Sequence, residues 1–234
     1  MSEEEKDFPK SKKIRVVAYE DALKELTNEK TPYPTDELRC YRCDGDRSPR
    51  VVRKKTILSM AKMQFDMSGE YADLHSRILF TIYARLMDDD RVPELRGSHW
   101  TSLGFQNDKP WTDLRDTGML SLLQLLYLCE NHLSFVRKAL KISKQPIPRG
   151  FPFACVSVNC TLLVFQHLRD DAELVDDDAT VMNYVNTLHA ASLKWIISEW
   201  ERKKYTIMEF QKIMSKLRTV LRKHPKRLLR KFGL

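Results

Sequence analysis

The chain has 234 residues, enough to bury one sizeable core. With 42% hydrophobic and 31% charged residues, and only seven glycines and ten prolines, its composition excludes low-complexity and collagen-like proteins. The net charge of +8 is local: eight Lys/Arg and no Asp/Glu fall between Lys216 and Lys231, leaving 32 basic against 32 acidic residues elsewhere, which argues against a broad nucleic-acid-binding face.

The opening Met-Ser-Glu-Glu-Glu is acidic. It has neither the apolar core of a signal peptide nor the Gly at position 2 that myristoylation needs. Residues 1–48 are polar and broken by Pro9, Pro32, Pro34 and Gly45, and they read as an N-terminal extension. Within it, Ala22, Leu23 and Leu26 predict a short amphipathic helix from Tyr19 to about Asn28.

The helical body spans 49–224. Ile57, Met60, Ala61, Gln64 and Phe65 fall on one face of a first helix, and Tyr71, Leu74, Ile78, Ile82 and Leu86 mark a second between Glu70 and Asp90. Residues 91–116 hold Pro93, Gly97, Gly104 and Pro110 in a polar context and predict a long ordered loop of the kind that carries function. Apolar periodicity returns from Met119 through Leu140, and then Pro146, Pro148, Gly150 and Pro152 interrupt the chain. Gly150–Leu168 contains no charged residue and is long enough to span a bilayer, but Pro152, Ser157, Asn159, Thr161, Gln166 and His167 predict a buried helix instead. An acidic turn from Asp170 to Asp178 leads to a helix from Ala179 to Lys203. Thr206 and Glu209 have capping-box spacing, flanked by Tyr205 and Phe210 as a hydrophobic staple. The last helix turns Phe210, Ile213, Met214, Leu217 and Leu221 inward until Pro225 stops or kinks it, leaving 225–234 as a basic C-terminal tail. No alternating strands, repeats or heptads appear, so the expected class is all-α: a compact multi-helix domain with a long loop.

The five cysteines, Cys40, Cys43, Cys129, Cys155 and Cys160, are odd in number, and three lie in apolar stretches. That usage, without a signal peptide, predicts a reduced, cytoplasmic setting, peripheral on membranes or cytoskeleton at most. Cys40-x-x-Cys43 has zinc-like spacing but lacks a second pair, and Cys129 with His132 reads as a packed core pair, so no metal site is expected. Neither an H-E-x-x-H nor a G-x-S-x-G pattern occurs.

The informative segment is Trp100–Leu120, W-T-S-L-G-F-Q-N-D-K-P-W-T-D-L-R-D-T-G-M-L. It resembles the signature of the ELMO domain family, W-x3-G-F-Q-x3-P-x-T-D-x-R-x-x-G-x-L, at ten positions: Trp100, Gly104, Phe105, Gln106, Pro110, Thr112, Asp113, Arg115, Gly118 and Leu120. Phe151-Pro152-Phe153-Ala154 with Val158-Asn159 is similar to a second family segment, and the resemblance covers roughly residues 55–222.

The resemblance implies a helical domain closest to the single-domain ELMOD branch. It also implies GTPase-activating activity toward Arf/Arl-family small GTPases, with Arg115 as the catalytic finger. The residues themselves fit such chemistry. An arginine offers a permanent charge and a planar fork of donors to the γ-phosphoryl oxygens. The chain lacks a G-x-x-x-x-G-K-[ST] phosphate loop, so GTP and Mg²⁺ belong to the partner and no cofactor is expected. Around Arg115, Trp100 and Phe105 read as loop supports packed on the core. Gly104 and Gly118 serve as backbone-permissive positions, and Gln106 either positions the finger or makes a structural hydrogen bond. Thr112 and Asp113 read as caps of the following helix. Many relatives have Gly after the arginine. Here Asp116 stands there, a carboxylate able to hold the guanidinium or to compete with phosphate for it.

The alternative is a non-catalytic adaptor binding a GTPase, a membrane or a cytoskeletal partner. No specific nucleic acid is expected, and the basic tail offers a contact to an anionic membrane or an acidic cytoskeletal surface.

Overall fold

The computed structural model describes residues 13–27, 49–114, 116–170 and 181–233. Cys40, Cys43, Arg115 and most of the acidic turn lie outside the described residues. The protein is all-α. Among the described residues the secondary structure is α-helix and short 3-10 turns, with one isolated bridge between Lys13 and Arg91.

Helix α1 (Tyr19–Leu26) turns Tyr19, Ala22 and Leu26 inward, as the spacing predicts. The segment that reads as an extension therefore contributes to the core rather than hanging beside it. Its first turn is capped from a distance: the Tyr19 N–H donates to Glu130 Oε1 at 3.0 Å, a carboxylate at a helix N-terminus. Just before it, the Val17 N–H donates to Thr81 Oγ1 at 3.0 Å, which straps residues 13–17 along α3 (Ala72–Met87).

Helix α2 (Pro49–Lys62) buries Ile57, Met60 and Ala61. It ends before Gln64 and Phe65, which the spacing places on the same face; Gln64 is exposed beyond the last turn. Asp66 then organises the link to α3 by accepting the N–H groups of Ser68 (3.0 Å), Gly69 (2.7 Å) and Tyr71 (3.1 Å). Those bonds hold its carboxyl below the usual carboxylate range. Along α3, Leu74, Ile78, Ile82 and Leu86 form the buried stripe that the periodicity predicts.

The run Met119–Leu140 is two helices, not one. Helix α4 (Gly118–Asn131) ends at His132, whose φ of −139° and ψ of 33° leave helical space, and α5 (Leu133–Ser143) follows at once. The change of axis keeps both apolar stripes on the core. α4 is buried at eleven of its positions, including Gln124, whose Nε2 donates to the Val185 carbonyl at 3.2 Å.

Helices α6 (Phe153–Asp170) and α7 (Val181–Lys203) pack against each other, with α4 as their common neighbour. Two buried polar side chains of α7 find partners on neighbouring helices. His189 Nε2 donates to the Ser157 carbonyl at 3.1 Å, and burial pushes the His189 pKa down to about 4. Asn186 Nδ2 donates to the Tyr19 hydroxyl at 2.5 Å and ties α7 to α1. No helix among the described residues is long and apolar enough to cross a membrane.

The Glu209 carboxylate accepts both the backbone N–H (2.9 Å) and the hydroxyl (2.6 Å) of Thr206, closing a capping box on the 3-10 turn Ile207–Glu209 that leads into α8 (Phe210–Lys223). Ile213, Met214, Leu217 and Leu221 are buried along α8. Pro225 does end α8, but it also opens a further helix, α9 (Pro225–Phe232), by occupying its first position. The stretch that reads as a solvated tail is thus a helix docked on α7, with Leu228 buried at 3% exposure.

Candidate functional site

The loop between α3 and α4 is built on a buried indole. Trp100 is fully buried in a 3-10 turn, Ser98–Leu103. Its ring lies 5.4 Å from Tyr83, 6.2 Å from Phe105 and 6.4 Å from Phe80, and its Nε1 donates to the Glu94 carbonyl at 3.2 Å. Phe105, at 3% exposure, closes the same cluster. The rim is tied by the Gly97 N–H to the Asp108 carbonyl (2.9 Å) and by Arg96 to Asp108 (2.5 Å).

Gly104 joins the two stretches that carry the family resemblance. Its φ is +84°, in the left-handed region. A Cβ there would stand 2.1 Å from the Phe153 nitrogen and 2.8 Å from the Pro152 carbonyl carbon. The close approach lets the Gly104 carbonyl accept the Cys155 N–H at 3.1 Å, satisfying one of the free donors at the start of α6.

Gln106 is exposed, while its backbone N–H donates to Asp113 Oδ2 at 2.8 Å. The same oxygen accepts the Cys155 thiol at 3.4 Å. Burial, together with the adjacent Asp113 charge, pushes the Cys155 thiol up to about 12, so it stands as a neutral donor. Asn159 Nδ2 donates to the Cys155 carbonyl at 2.7 Å. The sequence does not mark Cys155 as a site residue, because an isolated cysteine in an apolar helix carries no motif.

Pro110 is buried at the head of a second 3-10 turn, Pro110–Leu114. Thr112 and Asp113 sit inside that turn and do not cap α4. They lie too far before it to reach its first N–H groups. Thr112 Oγ1 instead donates to the Lys109 carbonyl at 2.8 Å, and the N-cap of α4 is Thr117, without a side-chain cap bond. Asn107 fixes the turn by accepting the Lys109 N–H (2.7 Å) and donating to Thr112 (3.1 Å). Trp111 stacks at 6.0 Å on Phe65, bracing the turn against the end of α2.

Arg115 itself lies outside the described residues. Leu114 is buried at 1% exposure, Asp116 is exposed, and Thr117 is buried, with its N–H on the Leu114 carbonyl (3.1 Å) and its hydroxyl paired with Ser121. Gly118 comes next at φ +46°, and a Cβ on it would meet the carbonyl oxygens of Met63, Ala61 and Met60 at 2.4, 2.7 and 2.9 Å. The Met119 N–H donates to that Met63 carbonyl at 2.9 Å, seating the start of α4 on the end of α2. Leu120 is fully buried behind it. Beside the loop runs an open groove of about 430 Å³, lined by Thr101, Ser102, Gly104 and Phe105 on one side and by Ser143, Lys144, Phe151 and Pro152 on the other.

The structure thus brings Gly104, Gln106 and Asp113 to the first turn of α6 and packs Phe105 on Trp100, whereas Gly118 is seated on the end of α2 with Asp116 exposed two residues before it. A family model for ELMO/CED-12 matches residues 56–214, a span that contains every one of these positions. The chain belongs to the ELMO/CED-12 family. It is 34% identical over 182 residues to human ELMO domain-containing protein 3, covering 76% of this chain and 47% of that protein. It is 35% identical over 178 residues to the Mus musculus protein of the same name, covering 74% and 46%. Against Mus musculus ELMO domain-containing protein 2 the identity is 32% over 98 residues, covering 42% and 33%. The chain spans about half the length of the type 3 relatives it matches. No solved structure matches it. Among the described residues of this ELMO domain, no group of three or more His, Cys, Asp or Glu side chains is placed to hold a metal.

Proposed function

We propose that this ELMO domain activates GTP hydrolysis on an Arf/Arl-family small GTPase, supplying Arg115 in trans. The observation that carries this reading is the rigid seat on either side of position 115. Leu114 and Thr117 are buried, Gly118 is wedged on α2, and Asp116 between them is exposed. A group delivered to a neighbour's phosphate needs a framework fixed before the encounter, because geometry lost by about 1 Å can cost roughly 10²-fold in rate. Trp100, Phe105, Pro110 and Asp113 supply that framework. A forked, permanently charged guanidinium then stabilises charge on the transferring phosphoryl group, a contribution of about 10³–10⁵ in rate for fingers supplied in trans.

Single-turnover GTP hydrolysis over a panel of Arf/Arl GTPases tests the proposal. Arg115→Lys is expected to bind normally and to lose most of the stimulation, since lysine lacks the fork. Equal stimulation by wild type and variant removes Arg115 from the mechanism.

One feature favours a second reading, a non-catalytic adaptor. Asp116 places an exposed carboxylate directly after the arginine, able to compete with phosphate for the guanidinium. An adaptor binds the GTPase without accelerating hydrolysis, and Asp116→Gly does not restore stimulation. A gain of stimulation in Asp116→Gly would identify Asp116 as a brake on a competent finger.

A further inference from the structure

From Lys212 to Lys231 the sequence holds nine Lys/Arg and no Asp or Glu. All nine are exposed on α8 and α9, and none forms an ion pair with a described residue. A single-sign surface on an otherwise charge-balanced protein is self-repelling, and an anionic partner relieves it.

The surface is not uniformly polar. Where α9 meets α7 and α8 there is a groove of about 190 Å³, floored by Trp195, Val220, Leu228 and Phe232 and rimmed by Arg227 and Lys231. Trp195 and Phe232 are only half-buried there. Val220 and His224 at the end of α8 and Arg227 and Lys231 on α9 all line this groove, so its wall continues across the helix change at Pro225. Glu199, one turn beyond Trp195 on α7, is neutralised by Arg202 at 2.5 Å. Glu209, at the head of α8, is occupied by Thr206.

We propose that the α7–α8–α9 face docks on an anionic phospholipid membrane, with headgroup phosphates on Arg227, Lys231 and the neighbouring cations, and the glycerol–acyl boundary over Trp195 and Phe232. Charge alone fits any polyanion. The half-buried aromatic floor between the cations selects a partner whose phosphates adjoin apolar matter, which a bilayer surface provides and a nucleic-acid backbone or a polyacidic peptide does not. Each cation near such a surface contributes about fivefold in binding, and the attraction decays within roughly a Debye length of 8–10 Å.

The test is co-sedimentation of the full chain with phosphatidylcholine vesicles, with and without phosphatidylserine, in the absence of any GTPase. Binding is expected only with phosphatidylserine, and is expected to weaken at high salt. Arg227→Gln/Lys231→Gln should bind about 30-fold more weakly, at about fivefold per cation. Lys138→Gln/Lys141→Gln on α5 removes the same charge from another exposed face and should bind as wild type. Phe232→Ser, with a melting temperature confirming the fold, should weaken vesicle binding while leaving any binding to polyglutamate or a short DNA duplex unchanged. The proposal is overturned by equal binding to both vesicle types, by equal losses in the α5 and α9 variants, or by binding of polyglutamate or duplex when vesicles do not bind.

Discussion

Replacing Gly118 by alanine probes the seat beside Arg115 directly. At φ +46° an alanine carries the left-handed penalty of about 1–2 kcal/mol. The added Cβ would also stand 2.4 Å from the Met63 carbonyl oxygen and 2.7 Å from that of Ala61, far inside the roughly 3.5 Å of comfortable non-bonded contact. All three obstructing atoms are backbone at the end of α2, so no side chain can swing aside, and α4 must lift. Lifting breaks the Met119–Met63 hydrogen bond, worth about 0.5–1.5 kcal/mol. Together these give a destabilisation of about 1.5–3.5 kcal/mol, or a fall in melting temperature of about 3–14 °C for a domain of this size. Urea and thermal unfolding followed by circular dichroism measure it. Gly97→Ala is the control, because Gly97 is extended at φ 166° and its Cβ would meet only the His99 imidazole. If Gly118→Ala unfolds within about 0.5 kcal/mol of wild type, the range of an ordinary surface substitution, the close seating of α4 on α2 is refuted.

Asp113→Ala leaves the Gln106 N–H and the Cys155 thiol without their acceptor, at a cost of about 1–2 kcal/mol because Gln106 can turn to water; Asp113→Asn, retaining an acceptor, should cost less in the same unfolding assay. Stability should fall as pH drops from about 6.5 toward 4. Burial depresses His75 and His189 to about 4 in the folded protein, so across that window the unfolded chain binds more protons, and their contribution is complete only above pH 6.5. Urea midpoints at successive pH values check the sign; midpoints that rise on acidification contradict it.

Much of this architecture is legible because helices announce themselves by period. The stripe of Leu74, Ile78, Ile82 and Leu86 on α3 can be placed from spacing alone, and α6 from a charge-free run whose polar residues speak against a membrane span. Other features are invisible to periodicity. The break at His132 leaves both apolar stripes intact, so the sequence shows no interruption. Pro225 looks like a terminator, yet the same missing N–H suits the first position of a new helix, and only the burial of Leu228 distinguishes the two. In the motif loop, the positive φ at Gly104 and Gly118 is foreseeable from residue type, whereas the partners they approach come from α6 and α2. Asp113 illustrates the remaining difficulty. Its spacing suggests a cap for the next helix, but its carboxylate reaches back to Gln106 and across to Cys155, forty-two residues on.

The bond from the Cys155 N–H to the Gly104 carbonyl makes two stretches of sequence inseparable. Exchanging Trp100–Leu120 between relatives, or grafting it onto an unrelated helical scaffold, would transplant a loop without the helix end it fastens to. Recombination that preserves the loop's shape must carry Phe151–Asn159 along with it, so the heritable unit here is a discontinuous pair rather than a linear motif.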